Sequence, residues 1–455
     1  MATSSTGAAP REELQRGFGL STATYVVIAS MVGTGILVSP GYMMASLKNY
    51  PVIFGLWALG GLLALCGALC VAELAAALPR AGGEYVYLRE AYGPMPAFLS
   101  GWTSFFVGFS APLAVAAYIA ALYLLTPFGL AEKGAGYLIR ATAAIIIVAV
   151  TLPNLVGHRQ SAWTQSLTTI LKFGLFLVLV VAAFLFGDGR LAHITQGQSI
   201  GKVGLGTAAT QLFYVMFAYS GWNAASYLAG EVKNPAKTLP RSLLLGTGLV
   251  IVLYLAVNLT FAYAVPLANV GFDNAEKVPQ LAVENLFGVR ASSVFTVVLG
   301  LTFLATVSAF IITGPRVYYA MAKDGLFPSV AGRVSSKGGI PVYAMIAQSA
   351  CAIAILFGMK NFRDLYQYAS VGLSVFALLF IGAVYVLRWR RPEMGRPFHV
   401  PGYPVTPAIF MVVILFMAVF AFKQWTKPSL YSLGSILAGI PVYYLWLFVR
   451  RRWET

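Results

Sequence analysis

Apolar residues run through this chain in long blocks, each near the roughly 20 residues that a helix needs to cross a bilayer. They lie near 18–46, 52–78, 95–125, 139–157, 161–186, 207–230, 242–266, 290–322, 341–358, 365–388, 405–423 and 431–450. The pattern predicts an all-α membrane protein of about twelve transmembrane helices. Short polar links separate the blocks and leave no room for a soluble domain. The first block does not read as a cleavable signal peptide, because it is too long and no A-x-A-like site follows a short apolar stretch. Residues 1–17, opening with MATSSTGAAP, read as a polar, disordered cytoplasmic tail.

Two of the blocks are interrupted. The first contains Met31-Val32-Gly33-Thr34-Gly35-Ile36 and the sixth contains Phe217-Ala218-Tyr219-Ser220-Gly221-Trp222-Asn223. At 1.5 Å per residue, both interruptions fall roughly 20 Å along their spans, near the bilayer centre. Taken singly, each glycine cluster reads as close helix packing. Their matched depth points instead to inverted repeats, with helices 1–5 over 18–186, helices 6–10 over 207–388, and helices 11 and 12 over 405–450. A broken helix frees N–H groups at one end and C=O groups at the other, tolerable in lipid only where they line a cavity. The N–H groups of Thr34, Gly35 and Ile36 suit a carboxylate. Carbonyls of Met31, Phe217 and Ser220 suit an ammonium. A free amino acid carries both groups. No acidic residue lies near either break in sequence, and Asn223 is the one strongly polar neighbour, which favours a neutral substrate. Trp222, just past the break, reads as a packing anchor or as a cavity-lining ring, and Tyr219 is undecided.

Composition narrows the class further. Of 455 residues, 59% are hydrophobic and 10% charged, against about 45–50% and about 25% in soluble proteins. That excludes an ordinary cytosolic enzyme. The formal charge of +16 is spread singly between apolar runs, which argues for lipid headgroups and topology and against nucleic acid. Cys66, Cys70 and Cys351 lie in apolar runs and form neither a disulfide framework nor a metal set. His158, His193 and His399 fall in loops, so no catalytic cluster is expected. No ion-filter or charge-ring sequence and no G-x-x-x-x-G-K-[ST] motif occurs, leaving gradients as the energy source. Neither a cofactor nor a metal is expected.

The motifs resemble those of the amino acid–polyamine–organocation superfamily, nearest its L-type-like branch. They are Ile28 to Ile36; Ala72-Glu73-Leu74 to Pro79 with Gly82-Gly83-Glu84-Tyr85-Val86-Tyr87-Leu88; Pro153 to Arg159 with Gln165 and Lys172; Phe217 to Asn223 with Glu231-Val232-Lys233-Asn234-Pro235 and Pro240; and Arg316 to Phe327. The resemblance implies a LeuT-like fold, alternating access and a free amino acid as substrate. It implies substrate contacts from Met31, Val32, Gly33, Thr34, Gly35, Ile36, Phe217, Ser220, Trp222 and Asn223, with Phe217 closing over the substrate. Some arginine-handling relatives have a glutamate where this chain has Asn223. Animal L-type members join a heavy subunit through a cysteine after the third helix; Leu125 to Ile139 has none, so no disulfide-linked partner is expected. The leading expectation is sodium-independent transport of neutral L-amino acids, by exchange or proton-linked uptake. A cationic amino acid or polyamine carrier is the alternative within the superfamily, and a membrane-embedded enzyme lacks a catalytic set.

Five residues carry further expectations. Lys172 lies mid-span, where a lysine is costly unless partnered. The resemblance places it where sodium-coupled relatives hold a sodium ion, with Thr306 and Ser308 as hydroxyl acceptors. Glu73, near the end of the second span, is open between a structural or gating role and proton coupling. His158 reads as a solvated loop histidine.

Lysines and arginines in the links divide 19 to 11 between the two faces. By the positive-inside rule the richer face, with both termini, is cytoplasmic in a multi-pass plasma (inner) membrane protein. A single cysteine beside Arg391, in a cysteine-free background, should therefore resist an impermeant thiol reagent added from outside; labelling there would invert the topology.

Overall fold

The computed structural model describes residues 16–80, 82–131, 135–156, 162–199, 201, 203–333, 341–359 and 361–454. The expectations for His158, Arg159, the side chain of Gln165 and the first fifteen residues lie outside the described residues. The chain is a bundle of apolar helices, with no strand among the described residues.

Span 1 is two helices, Leu20–Met31 and Gly35–Leu47. Span 2 is Tyr50–Ala77. Span 3 joins Pro94–Thr103 to Ala111–Leu125 through a π-helical stretch, Ser104–Ser110. Spans 4 and 5 are Gly136–Val156 and Ala162–Phe186. Span 6 is Leu205–Ala218 followed, after a break, by the 3-10 segment Ala224–Glu231. Spans 7 to 11 are Pro235–Ala264, Val289–Lys323, Val342–Gly358, Phe362–Arg390 and Val405–Gln424. Span 12 bends at Ala438 between Thr426–Leu437 and Gly439–Glu454. Among the described residues, nine of these are long and apolar enough to cross a membrane, and three more apolar helices are shorter.

Span 7 begins at Pro235, not near 242. Lys237 and Arg241 end the apolar block, but the helix continues past it, and a proline in the first turn gives up an N–H that has no helical acceptor anyway. The short helices Glu84–Tyr92 and Val278–Phe287 escape an apolar-block reading because they are too brief and too polar to form one.

Two isolated bridges set the relation between spans 1 and 6. Phe18, entering span 1, pairs with Val232, leaving span 6. Asn49, leaving span 1, pairs with Gly197 in the link before span 6. The two interrupted spans therefore run antiparallel, each entering on the face where the other exits.

That first face is held by a buried ion pair. Glu73, 2% exposed on span 2, accepts from Arg388 Nε at 2.8 Å, from its Nη2, and from the Val400 N–H at 2.7 Å. Arg388 also lies 3.8 Å from the Tyr403 ring centroid. The structural reading of Glu73 thus acquires a partner. The run Arg388 to Arg391, read as a topology anchor, also fastens span 10 to the Glu84–Tyr92 helix, with Arg391 on Glu90 at 2.6 Å and Arg390 on the Ala91 carbonyl at 3.0 Å. Arg388→Met should cost about 2 kcal/mol, below the range for a fully stranded buried charge, because Arg396 Nε stays 3.6 Å from Glu73 Oε1 and the Arg388 side chain is 20% exposed. Denaturation in detergent measures it, and an unshifted transition would show that the pair holds nothing.

Candidate functional site

The two breaks touch backbone to backbone. A Cβ on Gly35 would stand 2.3 Å from Ala218 Cα, and one on Gly221 would stand 2.7 Å from the Ser30 carbonyl. Gly221 also has φ +101°, a conformation that favours glycine. Packing therefore accounts for Gly35 and Gly221. Gly33 is different: a Cβ there would meet only the Met31 oxygen, at 3.9 Å.

Each break frees backbone groups, and one side chain answers the carbonyls of both. The hydroxyl of Tyr254, fully buried on span 7, lies 2.6 Å from the Met31 oxygen and 3.2 Å from that of Ala218. Its single hydrogen is shared between the ends of two interrupted helices. The rings of Trp57 and Tyr219 pack around it, with centroids at 5.6 and 5.1 Å. Tyr254 was not legible as a site residue, since nothing in sequence marks a tyrosine inside an apolar span. The Met31 carbonyl, expected to meet an ammonium, already accepts from Tyr254 and keeps one lone pair for a ligand.

On the other side of the gap the helix restarts at Thr34, whose oxygen accepts from the N–H groups of Leu37 and Val38 at 3.2 and 3.1 Å. The N–H groups of Gly35 and Ile36 belong to its first turn and have no intrahelical acceptor. This is a helix N-terminus at mid-depth, electropositive by its dipole. Beside it a cavity of about 10 Å³, about the size of one water, is lined by Val32, Gly33, Lys172, Phe176, Thr302 and Phe303. Lys172 Nζ donates to Thr306 Oγ1 on span 8. Ser308 accepts from Asn154 Nδ2 on span 4 at 3.4 Å.

Phe217 is 6% exposed at the end of the first half of span 6. Its ring lies 4.5 Å from that of Tyr366, which stacks on with Tyr214 and Tyr42. Ser39 ties this roof to span 1, donating to the Tyr214 carbonyl at 2.7 Å and bonding the Tyr366 hydroxyl at 2.8 Å. Ser220 is half-buried at the break, its N–H on the Phe217 oxygen at 3.0 Å. Trp222 points elsewhere: its ring packs on Gly67 and stacks 6.1 Å from Phe380.

The sequence has no acid near either break, yet the fold brings one: Asn223 Nδ2 donates to Glu84 Oε1 at 2.6 Å. Glu84 begins the short helix after span 2. Loss of water pushes its carboxyl up to about 7, with the Asn223 bond opposing. The contact joins residues 139 positions apart, which no local pattern reveals.

Residues 18–447 match the family described as Amino acid permease. The chain belongs to the amino acid permease family. The permease thus sits in the superfamily its motifs resemble. It is 27% identical over 449 residues to the b(0,+)-type amino acid transporter 1 of Mus musculus, spanning 97% of its own length and 90% of the relative's. It is 26% identical over 446 residues to the cystine/glutamate transporter of Homo sapiens, spanning 96% and 86%. Against the large neutral amino acids transporter small subunit 2 of Mus musculus the identity is 26% over 450 residues, spanning 96% and 82%. The permease is an amino acid transporter and an integral multi-pass membrane protein.

Tyr254→Phe should destabilise the permease by about 1–3 kcal/mol, because two buried carbonyls lose their donor, and should slow transport with it. Thermal denaturation in detergent and initial uptake rates measure both; an unchanged transition would show that the breaks are held by other groups.

Proposed function

We propose that the permease is a sodium-independent secondary transporter of neutral L-amino acids, working by alternating access through exchange or proton-linked uptake. The observation that carries this reading is the Lys172 ammonium, bonded to Thr306 and lining one cavity with Val32 and Gly33. It supplies a fixed positive charge beside the interruption of span 1, where a bound cation would otherwise balance the freed carbonyls. The substrate carboxylate meets the N–H groups of Thr34, Gly35 and Ile36. Its ammonium meets the free lone pair at Met31 and the carbonyls of Phe217 and Ser220. Phe217 closes over the side chain, Ser220 limits its size, and residues 18–186 and 207–388 move as the two repeats. The protein lies in the plasma membrane with both termini inside and without a disulfide-linked heavy subunit.

A second reading, a cationic amino acid or polyamine carrier, draws on Glu84, a carboxylate 2.6 Å from Asn223. Counterflow in proteoliposomes loaded with labelled leucine separates the two. Exchange driven by small and branched neutral amino acids, and not by arginine, lysine or putrescine, supports the first. Uptake should be equal in sodium and choline buffers, and Lys172→Ala should reduce it at least about tenfold, the scale of one lost buried charge interaction. Strong sodium dependence, or normal uptake by the variant, would sink the reading.

A further inference from the structure

We propose that Glu84 is a proton-operated latch: when protonated it holds the helix Glu84–Tyr92 against the break of span 6, and when ionised it releases that helix and opens this face of the site. The inference deepens the transport reading, on which it rests only in taking this face as one that opens.

The latch is built from two segment starts. Glu84 is the first residue of its helix, and Asn223 immediately precedes the segment Ala224–Glu231. The loop before Glu84 is pressed onto that segment. A Cβ on Gly83 would stand 2.7 Å from the Tyr227 ring, and the Gly82 N–H donates to the Tyr227 oxygen at 3.3 Å. The Glu84–Asn223 bond therefore closes a seam that already fits.

Among the described residues the carboxylate sits in this seam without a balancing cation. The titratable groups that feel its charge are Tyr87, on its own helix, and Tyr227, across the seam, both kept as neutral phenols. The cations on neighbouring elements are engaged elsewhere. Arg89 pairs with Asp324, Arg80 and Arg391 pair with Glu90, Arg390 bonds the Ala91 carbonyl, and Arg388 pairs with Glu73. An ionised Glu84 thus has one amide donor for a full charge, whereas a protonated one loses little by docking. Asn223 Nδ2 can donate to either form, more strongly to the carboxylate, which opposes the desolvation without cancelling it.

The sign follows from the two environments. A carboxyl pushed up to about 7 when docked returns to about 4.3 when the helix lifts into water. Docking is then favoured most fully below about 4.3, weakens as pH rises through that window, and gains nothing further from protonation above about 7. Opening releases a proton, and the opening equilibrium should rise about tenfold between pH 6 and pH 8.

The test is hydrogen exchange of residues 84–92 in the purified, substrate-free full chain in detergent, corrected for the intrinsic pH dependence of exchange. Wild type should lose about tenfold protection from pH 6 to pH 8, and Glu84→Gln, which keeps an acceptor for Asn223 but cannot ionise, should show a flat profile. A flat wild-type profile, or the same loss in the Gln variant, overturns the latch. Should the Gln variant fail to fold, Asn223→Asp serves: a second carboxylate beside Glu84 must move the midpoint to higher pH, and an unmoved midpoint overturns the proposal. No amino acid is present, so a failed latch leaves the transport reading standing. Failure of counterflow would likewise leave the protection profile as measured.

Discussion

Backbone polar groups freed at mid-membrane have no water to turn to, and the arrangement around the two breaks follows from that constraint. A single interrupted helix would have to satisfy its own loose ends. Two interrupted helices crossing at Gly35 and Ala218 bring their freed carbonyls close enough for one hydroxyl, that of Tyr254, to serve both. The close crossing requires a residue without a side chain at Gly35, and the antiparallel course of spans 1 and 6 puts the interruptions side by side. The same geometry leaves the restarting helix at Thr34 facing the space beside Gly33. Lys172 reaches that space from span 5 and is fixed there by Thr306 of span 8. Packing, backbone satisfaction and charge placement are therefore consequences of one crossing.

Both routes to this crossing are shut, by different chemistry. On one face, Tyr42 of the second half of span 1 donates to Glu276 at 2.5 Å, and Gly41 lies directly against the Ala275 backbone. Beneath them the rings of Tyr42, Tyr214, Tyr366 and Phe217 form a continuous cluster over the break. On the opposite face the closure is polar, with Glu84 on Asn223 and the Glu73–Arg388 pair behind it. A cavity of about 10 Å³ holds no amino acid, so admission requires one of these closures to part. Separating the aromatic face exposes apolar rings to water. Separating the polar face returns charged and hydrogen-bonding groups to water, and each closure contains a carboxyl, Glu276 on one face and Glu84 on the other.

The bilayer makes some of this legible from sequence and hides the rest. Its thickness fixes the length of an apolar block, so the spans could be placed to within a few residues wherever apolar character and helix coincide. At Pro235 they do not coincide, because Lys237 and Arg241 end the apolar block while the helix runs on. Glycine and small polar residues at matched depth in spans 1 and 6 mark the interruptions, since lipid tolerates broken backbone only beside a cavity. The pattern does not distinguish glycines that open space from glycines that close it. Gly33 faces a gap, whereas Gly35 and Gly221 are filled by Ala218 and Ser30.

Partners are the least legible part, for a physical reason. A periodicity records which environment a residue needs, not which residue supplies it. Lys172 declares itself, because a mid-span ammonium must be bonded to something, and hydroxyls on a neighbouring span are the available acceptors. Tyr254 does not, because a tyrosine is at home in an apolar helix and its hydroxyl acquires importance only from the carbonyls it meets. Glu84 is harder still. In sequence it is an ordinary surface carboxylate in a polar link, with Arg80 and Arg89 nearby to balance it. In the fold those arginines turn to Glu90 and Asp324, and Glu84 turns inward to Asn223. Judging the charge of the site from the residues beside each break therefore misses an acid that reaches it. The electrostatics of such a site belong to the loops that fold back onto it as much as to the spans that cross there.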